Sequence, residues 1–231
     1  RMLETVRQYA LERLSEQAEG EATRGRHVAH FIAMAEAAEP HVRGPDQDAW
    51  MSRYQQEHEN LVVALTWCCE GPPAAGRGGP LDPQAGLRLA AATGYYWGWN
   101  SVELGWRLTR AVLEHDHAAA PTPARESTLR ALARMSEFRG RYDEALSFAQ
   151  QALDAARQIG APHAIAWALN AVGSALTTLG RRDAAVQTLE DALERARALG
   201  DGVLMFTLLN NIASSRYQAG QLDAAEGCYV E

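Results

Sequence analysis

Lysine is absent from this chain, and all 22 of its Lys-or-Arg positions are arginine. A Walker A phosphate-binding loop needs a lysine to reach the β- and γ-phosphates, so these residues do not contain that nucleotide site. Schiff-base chemistry and general-base catalysis by lysine are excluded for the same reason. A formal net charge of −7 argues against a large phosphate-binding face, because nucleic-acid binding depends on clustered cations. We therefore expect no direct contact with nucleic acid.

Cysteine is scarce, and long apolar runs are missing. The chain has three cysteines, and the adjacent pair Cys68 and Cys69 is poorly placed to form a disulfide. A reducing compartment is the simpler expectation for such a chain. No signal-peptide pattern and no run of 18 apolar residues occurs, so the sequence predicts a cytoplasmic protein without a membrane span.

Patterns typical of catalysis and metal binding are missing as well. His27 and His30 are three residues apart on a predicted helix, and Asp116 lies between His115 and His117. No further ligand at a metal-site spacing completes either group. No serine lies in a Gly-x-Ser-x-Gly setting. We therefore predict no enzyme activity, no bound metal and no cofactor in this stretch.

Four short, similar segments, which we call the four echoes, recur at a constant spacing of 40 residues along the sequence. They begin at Asn100, Gly140, Gly180 and Gly220, and the last three share the pattern Gly-x-x-Asp-x-Ala. A fixed period between about 20 and 50 residues is typical of a solenoid, in which each unit buries its apolar face against its neighbours. Because solenoids mostly bind other molecules, the period favours an interaction module over an enzyme.

Each repeat unit has the pattern of two helices and two turns. Leu169, Val172 and Leu176 lie on one face of a first helix. Gly180 ends that helix, because glycine adopts the left-handed conformation without strain. The second helix has small residues such as Ala185, which let two antiparallel helices approach closely. The sequence therefore predicts an all-α fold of about eleven helices.

The spacing of small residues in this unit resembles the tetratricopeptide repeat. The matching positions are Gly173, Gly180, Ala185 and Ala192. The unit departs from the family in its length, which is about 40 residues where the family has about 34 residues, and no proline closes it. The resemblance implies a right-handed α-solenoid of tetratricopeptide-like helical hairpins, preceded by a small helical linker region.

The residues before the repeats resemble a second kind of protein region. In order, they contain Leu3–Ala10, Arg26-His27, Gly44–Gln47 with Trp50, and Glu59–Leu65. This series resembles the linker of large actinobacterial STAND-type regulators of the LuxR-type or AfsR-like kind. In those proteins a P-loop ATPase and a winged helix precede the linker, and tetratricopeptide repeats follow it. The resemblance implies that this chain is the sensor side of a longer regulator, with its ATPase and DNA-binding domains elsewhere.

Composition and periodicity together predict three segments. They are a helical linker region over 1–70, a glycine- and proline-rich loop over 71–82, and the tetratricopeptide-like repeats over 83–231, the last one truncated. Within the first segment, helices are expected over about 1–14, 21–39 and 46–70.

Aromatic residues crowd into one predicted helix. Tyr95, Tyr96, Trp97 and Trp99 fall within five positions, so they point to several sides of that helix. Some of these rings are expected to pack in the core where the linker meets the repeats. One or two can instead stay exposed and anchor a ligand, and Trp97 is the candidate. Both interpretations are open at this point.

A polar stripe on the first helices of the repeats is the sharpest candidate for a binding surface. In tetratricopeptide repeats the first helix lines the concave groove. The residues expected there are Arg130, Arg134, Asn170, Ser174, Asn210 and Tyr217, joined by Glu137, Thr177 and Ser214. Asparagine can bond both the N–H and the C=O of an extended peptide, and arginine suits a carboxylate or a phosphate. The same stripe also fits the solvated face of an amphipathic helix.

Two functions fit these patterns. The first is a sensor or regulatory solenoid of a cytoplasmic signal-transduction ATPase and transcriptional regulator, which binds a peptide, a protein or a small effector. The alternative is a free-standing tetratricopeptide scaffold that assembles other proteins.

Overall fold

The computed structural model describes residues 20–69, 82–116 and 119–230. Every regular element in these ranges is a helix, as the sequence predicts. The eleven helices are α1 (Gly20–Ala38), α2 (Gln47–Gln56), α3 (His58–Cys69), α4 (Ala85–Asn100), α5 (Val102–His115), α6 (Pro123–Phe138), α7 (Tyr142–Ile159), α8 (Pro162–Thr178), α9 (Arg182–Leu199), α10 (Gly202–Gln218) and α11 (Leu222–Val230). The helix predicted over 1–14 and the loop predicted over 71–82, apart from its last residue, lie outside the described residues.

The chain divides into two compact units. Of the described residues, the first contains 20–69, 82–93 and 111–116, and the second contains 94–110 and 119–230. Among the described residues, no helix is long and apolar enough to cross a membrane.

Helices α1, α2 and α3 belong to the first unit, where α3 packs against both of the others. Tyr54 is almost fully buried there, and its hydroxyl lies 3.2 Å from the Ala35 carbonyl oxygen and 3.3 Å from that of Ala92. Arg88 forms two hydrogen bonds of 2.7 and 2.8 Å with the Glu36 carboxylate. These polar contacts fix the helices of this unit in register.

One predicted helix of the linker region is divided in the structure. The sequence predicts a single helix over 46–70, whereas α2 ends at Gln56 and α3 begins at His58. Glu57 between them has a φ of −96° and a ψ of 10°, away from α-helical values. Its carbonyl still accepts a hydrogen bond from the Leu61 amide at 2.9 Å, so the interruption is a local distortion.

The second unit is built from helical hairpins packed in series. Helix α6 pairs with α7, α8 with α9 and α10 with α11, and each hairpin also packs against the next one. Five turns of this unit contain a glycine with φ between 68° and 78°, at Gly140, Gly160, Gly180, Gly200 and Gly220. A side chain with a Cβ is strained in this left-handed region, so a regularly spaced glycine ends each of the helices α6 to α10.

Small residues set the distance between the helices of a hairpin. A Cβ added at Gly173 would lie 2.5 Å from two carbon atoms of Leu189, which is fully buried. Ala185 and Ala192 on α9 are also fully buried. The close approach predicted from the spacing of these residues is therefore present between α8 and α9.

Candidate partner-binding surface

The polar stripe predicted on the first helices lies on α6, α8 and α10. We call it the first-helix stripe and define it by Arg130, Arg134, Asn170, Ser174, Asn210, Ser214 and Tyr217. Helix α6 contacts α8, and α8 contacts α10, so equivalent positions of successive hairpins are neighbours. The structure nevertheless gives its members different surroundings.

Arg130 is already paired within its own helix. Its Nε donates to the Glu126 carboxylate at 2.6 Å, and a terminal nitrogen donates to the Ser127 hydroxyl at 2.8 Å. The Glu126 side chain is 2% exposed, and the Arg130 guanidinium lies 5.8 Å from the ring centre of Trp167. A buried carboxylate needs such a partner, so Arg130 has a structural role beyond the ligand contact predicted for it.

Arg134 lies instead among aromatic rings. Its guanidinium carbon is 4.9 Å from the ring centre of Tyr95, 5.4 Å from that of Trp99 and 5.5 Å from that of Phe138. Among the described residues, no carboxylate forms a hydrogen bond or an ion pair with it. Burial lowers the pKa of Arg134, and the charges of neighbouring groups oppose that change. Since arginine stays protonated at neutral pH, a half-buried cation remains here.

Glu137 sits one turn along α6 and contacts the next hairpin. The Ser174 hydroxyl of α8 donates to its Oε2 at 3.1 Å. Burial raises the pKa of Glu137 to about 7, while the Ser174 hydrogen bond and the Arg134 charge oppose the rise. The sequence placed Glu137 in the stripe but contained no sign that its carboxyl group titrates near neutral pH.

The two asparagines predicted to form a ladder are not equivalent. The side-chain oxygen of Asn170 accepts a hydrogen bond of 2.9 Å from the Asn211 amide on α10, so part of its capacity is used between hairpins. Asn210 is exposed. The Ser214 hydroxyl accepts a weak hydrogen bond of 3.4 Å from Gln218. Of the two asparagines, Asn210 is the more accessible to a partner.

Tyr217 lies on the same face of α10 as two exposed apolar side chains. Tyr217 is 67% exposed, Phe206 76% and Val203 49%. Two of the equivalent positions on α8 differ, because Ala166 and Thr177 are buried, whereas His163, the equivalent of Val203, is exposed. This face of α10 presents an apolar surface that no described helix covers.

Trp97, the predicted aromatic anchor, is a core residue. It is fully buried, and its side chain lies against Gly105, where a Cβ would leave no room for the indole. Trp97 therefore offers no surface to a ligand, and this prediction needs correction. Trp99 is the accessible ring of the cluster, with 59% of its surface exposed and its ring centre 5.7 Å from that of Phe138.

The sequence places Trp99 in the aromatic cluster, but Trp97 was the predicted exposed member, and Phe138 was not included. Two signals were present in the chain. Trp99 follows Tyr95 by four residues, so both lie on one face of α4. Phe138 occupies a repeat position at which the other hairpins have Thr178 and Gln218, so it breaks the repeat pattern with an aromatic ring.

The histidines considered as metal ligands lie outside the first-helix stripe. The ring of His27 packs 4.7 Å from that of Phe31 and 5.0 Å from that of Trp67, and burial lowers its pKa. His117 lies outside the described residues. In the part of the chain that the structure describes, no three His, Cys, Asp or Glu side chains converge as a metal site.

Comparison with known proteins identifies the repeats. Residues 125–198 match the family model of the tetratricopeptide repeat. This stretch is a tetratricopeptide repeat region. Solved structures with the same fold include BtubC from P. vanneervenii, with a TM-score of 0.60 and 15% identity over 93% of this chain and 87% of that one. They also include a predicted kinesin light chain of Podospora anserina with TPR-like repeats, with a TM-score of 0.63 and 14% identity over 89% and 92%. These likenesses concern the fold, and they confirm the α-solenoid of tetratricopeptide-like hairpins.

The sequence similarity to other proteins extends beyond the repeats. Predicted HTH-type transcriptional regulators of Mycobacterium bovis and Mycobacterium tuberculosis are 30% identical to the chain over 180 residues. The match covers 75% of this chain and 19% of each relative. The chain therefore spans about a fifth of the length of the relatives it matches.

Proposed function

We propose that this chain is the partner-binding, regulatory solenoid of a transcriptional regulator. The observation that carries the proposal is the 30% identity over 180 residues to predicted HTH-type transcriptional regulators. The tetratricopeptide repeats supply a surface for a protein partner, since stacked hairpins expose one continuous face. The control of transcription then belongs to other parts of a longer polypeptide.

The finer form of this proposal is a sensor of the STAND type. The series of short matches between Leu3 and Leu65 supports it, because it resembles the linker that follows the ATPase and winged helix in LuxR-type and AfsR-like regulators. In this scheme a cytoplasmic peptide or protein, or a small effector, binds the first-helix stripe and changes the state of the ATPase. Exposed Asn210 and Tyr217, together with Arg134, are the residues that we expect a partner to contact.

The first test is the reading frame that contains this sequence. A P-loop ATPase and a DNA-binding winged helix encoded upstream would agree with the sensor proposal. A frame that encodes neither would refute it and favour a free-standing scaffold.

The second test is transcription in the native host. We expect a Tyr217→Asp, Asn210→Arg variant of the full-length protein to alter the same transcripts as deletion of its gene, because the variant places charges on the face proposed to bind the partner. The matched control is Arg195→Gln on α9, where only an exposed pair with Asp191 is lost. Unchanged transcripts in the deletion strain would refute the regulatory role. Equal effects of the two variants would refute the stripe as the binding face.

A further inference from the structure

The surroundings of Arg134 differ from those of every other residue in the first-helix stripe. Three rings lie within 5.5 Å of its guanidinium carbon, and two of them, Trp99 and Phe138, are 59% and 49% exposed. Arg130, one helical turn earlier, is neutralised by Glu126 at 2.6 Å. Arg134 is therefore a cation among aromatic rings. No described carboxylate forms an ion pair with it, although its charge interacts with Glu137 and its side chain forms a hydrogen bond with Tyr95.

Glu137 is the acidic group closest to this cation along α6. Arg134 faces it from its own helix, and Tyr95 of α4 forms a hydrogen bond with Arg134. From α8 the facing polar group is the Ser174 hydroxyl, which does not titrate in this range. Burial is the main reason that the pKa of Glu137 rises to about 7, so its carboxyl group is present in both forms near neutral pH.

We propose that Arg134, Trp99 and Phe138 form a subsite for a carboxylate carried beside an apolar or aromatic side chain of the partner, and that this anion binds when Glu137 is protonated. The inference deepens the proposed function, because it rests on the first-helix stripe as the docking face and names the chemistry that the stripe receives.

Three physical effects act together at this subsite. A guanidinium forms strong, charge-assisted hydrogen bonds with a carboxylate. The exposed faces of Trp99 and Phe138 offer apolar contact to the group that carries the anion. An ionised Glu137 would be a second negative charge beside the bound anion, and like charges disfavour each other. Protonation of Glu137 removes that repulsion.

The pKa of Glu137 sets the size of the effect. With a pKa of about 7, the carboxyl group is about nine-tenths neutral at pH 6 and about one-tenth neutral at pH 8. If only the neutral form admits the anion, the apparent Kd is the intrinsic Kd divided by the neutral fraction. The Kd should then be about tenfold larger at pH 8 than at pH 6.

The experiment is a nuclear magnetic resonance titration of the whole chain with N-acetylphenylalanine. This probe carries one carboxylate and one ring, and it stays ionised from pH 6 to pH 8 because α-carboxyl groups titrate near pH 3.5. The resonance to follow is the Trp99 indole N–H, assigned with a Trp99→Phe variant. N-acetylphenylalaninamide lacks the charge and N-acetylalanine lacks the ring, so both should bind at least severalfold more weakly.

Two variants separate the roles of the charged groups. Arg134→Met keeps an apolar stem among the rings and should abolish saturable binding. Glu137→Gln keeps an acceptor for Ser174 and should bind the probe equally at pH 6 and pH 8, near the wild-type Kd at pH 6. Arg195→Gln on α9 is the control and should behave as the wild type. If Arg134→Met fails to melt cooperatively, the pH comparison between the wild type and Glu137→Gln decides the question.

Any of three results would overturn the proposal. They are equal binding of the amide and the carboxylate, a pH ratio that persists in Glu137→Gln, and a Trp99 resonance that does not move. The probe titration uses only the purified chain, so it is independent of any role in transcription. If the titration fails while the Tyr217→Asp, Asn210→Arg variant still alters transcripts as expected, the result refutes only the subsite and leaves the proposed function standing.

Discussion

The contact between Gly173 and Leu189 supports a prediction about the spacing of the hairpins. A methyl group at position 173 would meet the Cγ and Cδ2 atoms of Leu189 at 2.5 Å, well inside van der Waals contact. Leu189 is itself fully buried, so it has no free space into which it can rotate. Gly173→Ala should therefore force α8 and α9 apart or move Leu189 from its rotamer.

Two opposing free-energy terms determine how much Gly173→Ala changes the stability of the fold. Overpacking of a close-packed interior costs about 1–3 kcal/mol. Replacing a glycine by alanine inside a helix stabilises the fold by about 0.5–1 kcal/mol, because the chain then loses less conformational entropy on folding. Gly173→Ala should then destabilise the fold by up to about 2.5 kcal/mol, and Gly173→Leu should cost more because its larger side chain enters the same contact.

The assay is thermal unfolding with a double-mutant cycle. For a chain of this size, each kcal/mol corresponds to about 2–4 °C in Tm. Leu189→Ala alone should cost about 2–5 kcal/mol through the cavity it leaves. Combined with Gly173→Ala it should cost less than the sum of the single changes, because the new methyl group occupies part of that cavity.

A glycine without neighbours supplies the control for this cycle. A Cβ at Gly227 on α11 would meet no atom within 4 Å, so Gly227→Ala should leave Tm unchanged or raise it. Additive effects of Gly173→Ala and Leu189→Ala would refute the reasoning, since they would mean that the two positions do not compete for space.

Three further predictions concern polar groups. Arg130→Ala should destabilise the fold by about 3–5 kcal/mol in urea unfolding, because it leaves the buried Glu126 carboxylate without a cation and with only the Ser127 hydroxyl as a partner, and adding Glu126→Gln should restore part of the loss. Asp201→Ala should cost about 1 kcal/mol at pH 7, because Asp201 accepts a hydrogen bond from the Leu204 amide and caps α10. Burial raises the pKa of Asp201, but this hydrogen bond and others outweigh burial and lower the pKa overall. The stabilisation is therefore present above the unfolded pKa of about 3.9 and should vanish as the pH falls through the folded pKa. Tyr54→Phe should lower the free energy of unfolding by about 1 kcal/mol by removing a buried hydroxyl within reach of two carbonyl groups, and an unchanged midpoint would contradict that role.

Local and periodic features were predictable from the sequence. A glycine such as Gly180 ends its helix wherever the chain needs a left-handed residue, and the repeat spacing shows that need without any knowledge of neighbours. The close contact at Gly173 was predictable for a similar reason, because a glycine within an apolar helix face indicates an approaching helix. The division of a predicted helix at Glu57 was not, since neither glycine nor proline marks it.

Features that depend on contacts between helices far apart in sequence could not be predicted from the sequence. Trp97 and Trp99 are two residues apart on one helix, and their burial differs because Trp97 faces Gly105 whereas Trp99 lies beside Phe138 and Arg134. The aromatic surroundings of Arg134 join α4 to α6 across a full repeat length of sequence, and α4 belongs to the faintest of the four echoes. Periodicity predicts which face a residue lies on, but it does not specify the atoms opposite that face.

The same repeat position can therefore carry different roles in successive hairpins. Arg130, Asn170 and Asn210 are equivalent in sequence, yet the first is paired with Glu126, the second is bonded to Asn211 and the third is exposed. A partner that lies along the first-helix stripe meets a different chemical group at each step, with a cation among rings at one end and an apolar face of α10 at the other. We therefore expect a partner that carries the proposed carboxylate to bind in one orientation, because reversing it would place that carboxylate against an apolar surface and away from Arg134.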